Sequence, residues 1–161
     1  MKTINIEYLK GDLSHKNSCA PIALSFVTGL NYNTVNHWLK THYYNKPKYY
    51  PAYYNKPKYY PAYDQSIKQL IPYRKTDRSG THLNKVPIQV FGLVEHYGKG
   101  WTLGKFIESH PKGTFIIRVN GHALSLKDGI VYDTGLTGPR KRIKQVFKKD
   151  ENISINPLDF Q

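Results

Sequence analysis

Asp128-Gly129 separates two β-rich runs, and no other pair of residues fixes so much of what this chain can become. Asp-Gly is favoured in a two-residue turn whose central residues both take positive φ. Such a turn predicts that Lys127 pairs with Ile130, and therefore Leu124 with Asp133. Side chains alternate along a strand, so His122 shares a face with Leu124 and lies diagonal to Asp133. Diagonal neighbours stand about 7–8 Å apart, close enough for an aspartate to meet an imidazole. A bulged three-residue turn would slip the register and part them.

Around this hairpin the chain reads as helices first and strands last. Ser18 is placed to cap a helix from Cys19 to about Thr28, with Pro21 inside the tolerated first turn. Asn33 is expected to cap a second helix whose Val35, Trp38 and Leu39 share a face. Pro87 opens an expected third, with Val90, Phe91 and Val94 apolar, ending near Gly98. Thr102 caps a short fourth, Leu103 to Ser109, closed by Pro111. Thr114 to Val119, His122 to Leu126 and Ile130 to Asp133 read as strands, with a last element at Ile143 to Phe147. Helices followed by an antiparallel sheet make an α+β domain.

The 161 residues have the length of one domain, taken here as 1–161. One interruption stands out. Tyr43 to Ala52 recurs unchanged as Tyr53 to Ala62, and residues 43–63 form a Tyr/Lys/Pro-rich insertion. Two copies are too few for a solenoid. Its prolines exclude a regular helix and a central strand, which leaves extended structure or turns. It reads as a duplicated surface loop, or as an arm whose Tyr49 and Tyr59 touch a partner.

Charge narrows the partners. Lys and Arg number 24 against 11 Asp and Glu, a formal charge of +13. An acidic protein, a nucleic acid or an anionic surface is the expected counterpart, with nucleic acid the less favoured. Arg140, Lys141 and Arg142, with Lys144, Lys148 and Lys149, concentrate that charge near the C-terminus. No apolar run approaches the ~18 residues of a membrane span, and the first residues lack a signal peptide's apolar stretch. Cytoplasm is the expected compartment.

There is one cysteine, Cys19, so no internal disulfide and no multi-thiolate zinc site can form. No histidine pair flanks a glutamate in the spacing of a metallopeptidase, and Gly135 to Gly138 lacks the ending of a phosphate-binding loop. Neither metal nor organic cofactor is expected. Cys19 falls at a helix start, where partial positive charge favours a thiolate. A thiol there, a histidine entering one strand and a carboxylate on the next are the parts of a cysteine hydrolase. The N–H of Cys19 can stabilise an oxyanion, with Asn17 or Asn5 as a side-chain donor. His15 is a rival base by nearness in sequence alone, and His37, His42, His82, His96 and His110 fall on expected helix surfaces, ends or loops.

This order resembles the papain-like cysteine peptidase superfamily, and most nearly the small double-glycine-leader-peptidase-like domains, compact versions of which occur in bacteriophage and bacterial genomes. The resemblance is carried by Ser18-Cys19, Ala23-Leu24, Gly29-Leu30-Asn31-Tyr32, Gly113 to Ile117, Gly121-His122 and Asp133-Thr134. It implies a papain-like fold with Cys19 as nucleophile, His122 as base and Asp133 as orienting acid. It also implies a protein or peptide substrate and, for a phage-encoded protein, the host cytoplasm. Two positions depart from the pattern. Leu13 stands six residues before the cysteine, where the family often has an oxyanion Gln, and Ser18 replaces the preceding Asp. The alternative is a catalytically degenerate binding protein that uses its basic surface and tyrosine-rich loop.

Overall fold

The computed structural model describes residues 1–11, 19–40, 48–51, 70–73, 83 and 88–160. In chain order the elements are β1 (Thr3–Asn5), α1 (Cys19–Thr28), α2 (Tyr32–Leu39), β2 (Lys48–Pro51), β3 (Leu70–Tyr73), β4 (Leu93–His96), α3 (Leu103–Ser109), β5 (Thr114–Val119), β6 (His122–Lys127), β7 (Ile130–Asp133) and β8 (Ile143–Lys149). The architecture is α+β. Six strands form one sheet in the order β1-β7-β6-β5-β8-β4, and β2 pairs with β3 in a separate two-stranded sheet. Among the described residues no helix is long and apolar enough to cross a membrane.

The hairpin takes the register its turn chemistry dictates. Lys127 pairs with Ile130 and Ser125 with Tyr132, while Asp128 and Gly129 have φ of 49° and 80°. Positive φ at both turn positions matches the right-handed twist of the flanking strands. A second tight turn, Asn120-Gly121, joins β5 to β6 and pairs Val119 with His122. His122 therefore opens β6 and Asp133 closes β7 at the same end of the sheet.

The sheet is mixed rather than antiparallel throughout. β1 runs parallel to β7, pairing Thr3 with Val131 and Asn5 with Asp133. The backbone N–H of Ile6 extends the contact, donating to the Asp133 carbonyl at 3.0 Å.

α1 lies along β6. Ala20 and Ala23 face Ala123 in one buried cluster, and Ser125 donates its hydroxyl to the Ala23 carbonyl at 3.3 Å. Small side chains on both surfaces let helix and strand approach closely, so that α1 begins beside the start of β6. Its other side packs Ile22 and Phe26 against Ile6, Tyr32 and Tyr132. Gly29, at φ 75°, ends the helix by donating its N–H to Ser25 O. On the opposite sheet face, Leu103 and Phe106 of α3 cover Phe115, Ile117, Leu124 and Val146. Thr102 caps α3 as its sequence predicts, accepting from Lys105 N.

Two local expectations need correction. α2 is capped by Asn31, whose Oδ1 accepts from Asn33 N, so Asn33 is inside the helix. The expected helix from Pro87 to Gly98 is a 3-10 turn, Ile88–Phe91, followed by β4. Gly92 at φ 71° breaks the run, and pairing of Leu93 to His96 with β8 determines the rest. Within the duplicated segment, Lys48–Pro51 is a strand. This agrees with extended structure there, and Pro51 closes β2 in a sheet of two strands, where neither is central. Tyr49 pairs there with Pro72. Asn17, Ser18, Tyr59 and most of the duplication lie outside the described residues.

Candidate active site

Asp133 is built to hold an imidazole. It is 1% exposed, yet each of its carboxylate oxygens has partners. Oδ1 meets His122 Nε2 at 2.5 Å and accepts from the N–H groups of Thr134 at 2.7 Å and Gly135 at 3.2 Å. Oδ2 accepts from the Thr137 hydroxyl at 2.7 Å. Burial alone would push its acidity down, raising the pKa. The bonds from His122 and Thr137, with the His122 charge and the Gly135 N–H, outweigh that and hold it below the ordinary value.

His122 is the complement. Its side chain is 26% exposed, and its pKa is pushed up to about 10, first by the bond to Asp133 and next by a bond to Cys19, against the opposing effect of burial. It is therefore an imidazolium at neutral pH. Asp133 occupies Nε2, so Nδ1 is the nitrogen left for the Cys19 sulfur. Cys19 is partly buried at the first residue of α1, packed against the cluster of Ala20, Ala23 and Ala123. The structure thus brings together a thiol, an imidazolium and a carboxylate from α1, β6 and β7.

The remaining expected site residues fall as follows. Asn17 lies outside the described residues. Asn5 lies just ahead of the 3-10 turn Glu7–Lys10, its Oδ1 accepting from Glu7 N at 2.8 Å. Arg140, Lys141 and Arg142 are exposed in the segment joining β7 to β8, at the same sheet end as His122. Arg142 also has a structural task, donating from Nη1 to Gly100 O at 2.9 Å. Lys141 lines an open groove of about 480 Å³ with Asn120, His122, Leu136 and Thr137. Among the described residues no group of three or more His, Cys, Asp or Glu side chains is placed to hold a metal ion.

Thr137 was not singled out by sequence. The signal was present: an aspartate at a strand end followed by Thr, Gly and a second Thr four residues on can wrap its carboxylate with loop donors. The Gly135 to Gly138 loop is that wrapping. No protein family's profile matches this chain, and neither a curated protein nor a solved structure matches it.

Proposed function

We propose that this protein is a papain-like thiol hydrolase that cleaves a peptide, isopeptide or related amide bond. The observation that carries the reading is His122 held between the Asp133 carboxylate and the Cys19 thiol at a helix start. Cys19 attacks the carbonyl carbon, and the oxygen that gains the electron pair is met by the Cys19 N–H. Because His122 begins protonated, its first act is to give its proton to the departing amine, which leaves a thioester on Cys19. Neutral His122 then takes a proton from water as that water attacks the thioester. The acid departs, the sulfur leaves as thiolate, and His122 is an imidazolium again. Asp133 keeps the ring in one orientation through both halves.

The test is alkylation of the native protein by iodoacetamide, with the adduct located by mass spectrometry. Cys19 should label at pH 6 far faster than a free cysteine. His122→Ala should slow that labelling by at least about tenfold, given the 10²–10⁴-fold worth of a positioned acid–base group. A native thiol that does not label, or that labels equally fast without His122, would sink the reading. The alternative, a catalytically degenerate binder using the exposed 140–142 segment and the tyrosine-rich arm, predicts a biological effect that survives Cys19→Ala.

A further inference from the structure

Arg118 is the one charged residue of β5, next to its last position, and its surroundings account for its presence. It pairs with Ala123, the residue after His122, and by alternation shares the sheet face of Ile116 and Ala123 on which α1 packs. Adjacent strands lie about 5 Å apart, so Arg118 stands one strand away from the candidate site. Its orientation is fixed from behind. Arg118 Nε donates to Gln145 Oε1 at 3.3 Å, and Gln145 Nε2 donates to Glu95 Oε1 at 2.9 Å. That chain crosses β5, β8 and β4 and engages only Nε. Among the described residues the two terminal amino groups of the half-buried guanidinium have no partner. They border a groove of about 470 Å³ lined also by Lys99, Lys144, Tyr97 and Trp101. Three cations therefore face one carboxylate, and Glu95 is already engaged by Gln145.

We infer that this groove is the acidic-residue subsite of the hydrolase proposed above, and that its substrate is a polypeptide with a carboxylate side chain close to the scissile bond. A guanidinium held through Nε presents its two outer N–H donors as a fork that matches a carboxylate. Lys99 and Lys144 supply further positive charge at the rim. Arg118, next to last in β5, lies at the sheet end where His122 opens β6 and Asp133 closes β7, which puts the groove's arginine at the same end of the sheet as the candidate site. The inference rests on the hydrolase reading, but the binding it predicts needs no turnover.

The experiment uses the full chain carrying Cys19→Ala and follows fluorescence polarisation of a labelled hexaglutamate peptide. The peptide should bind, and labelled hexaglutamine should bind at least about tenfold more weakly. Arg118→Gln should weaken hexaglutamate about tenfold or more, since a charge-assisted bidentate bond is lost. Lys144→Gln, at an exposed position that folding tolerates, should act in the same direction by a smaller factor. Lys127→Gln removes one charge at the opposite end of the sheet and should stay within twofold. Binding within twofold of the parent in both Arg118→Gln and Lys144→Gln overturns the subsite, as does equal affinity for hexaglutamine. A ten-residue oligothymidylate that binds more tightly than the peptide, through Arg118, overturns the acidic polypeptide in favour of nucleic acid. Retained peptide binding in a protein whose Cys19 proves unreactive removes the hydrolase and leaves the groove standing.

Discussion

His122 and Asp133 lie diagonally across the β6–β7 pair, at the first residue of one strand and the last of the other, with their side chains joined at 2.5 Å. Everything the candidate site can do depends on that bond surviving changes of pH, because it sets the charge of the imidazole.

The pH dependence of stability follows from the two shifts. His122 moves from 6.5 to about 10 on folding, so its contribution is complete below pH 6.5 and lost as pH rises through 10. Asp133 moves down from 3.8, so its contribution is complete above that value and lost as pH falls through its lower folded value. The urea midpoint should therefore fall on both sides of a plateau in the weakly acidic range. His122→Asn should flatten the alkaline limb between pH 6.5 and 10, as read by urea unfolding across that range.

Asp133→Asn keeps the shape and removes the charge. Its buried amide nitrogen would face a donor on at least one side, either Thr137 or the imidazolium. Destabilisation of about 1–3 kcal/mol is expected from the mismatched buried group. The Cys19 alkylation rate at neutral pH should drop with it, as His122 loses its largest source of positive charge. Urea titration and timed iodoacetamide labelling check the two effects separately.

Thr137→Val tests the loop that wraps the carboxylate. The side chain is nearly isosteric, so what is lost is one hydroxyl donor to a buried oxygen, costing about 1–2 kcal/mol. Because Oδ1 keeps its bond to His122, labelling should slow less than in Asp133→Asn. An equal or greater loss would mean that Thr137 does more than satisfy Oδ2.

Gly98→Ala probes the packing beneath the groove. Gly98 has φ 143°, and a Cβ there would stand 2.8 Å from Val146 Cγ2 and 3.0 Å from the Phe106 ring. Backbone strain and overpacking together should cost about 3 kcal/mol. Thermal melting should show the loss, while Cys19 labelling well below the transition stays near the parent rate.

The chemistry-bearing parts of the chain were legible where local rules settle geometry. Asp128-Gly129 fixed the β6–β7 register, and with it the meeting of His122 and Asp133. Thr102 marked the start of α3. Cys19 to Thr28 was readable as a helix because an apolar run ends at Gly29. The failures lie where distant pairing decides. Val90, Phe91 and Val94 suggest a helical face, yet β8 recruits Leu93 to His96 as a strand. Thr3 to Asn5 carries no pattern of its own and becomes β1 only because β7 offers an open edge. Arg118 carries no local signal, because the partners of a lone cation within Phe115 to Val119 are set by Gln145 and Glu95 lining up across the neighbouring strands.

The parallel strand at the N-terminus has a practical consequence. Without Thr3 to Ile6 the rim of β7 would be bare, and the Asp133 carbonyl would lose its backbone partner. A bare rim invites a strand from another molecule. A truncated product beginning after Ile6 would thus be sticky as well as slack at its carboxylate, so degradation from that end should register as self-association alongside loss of reactivity.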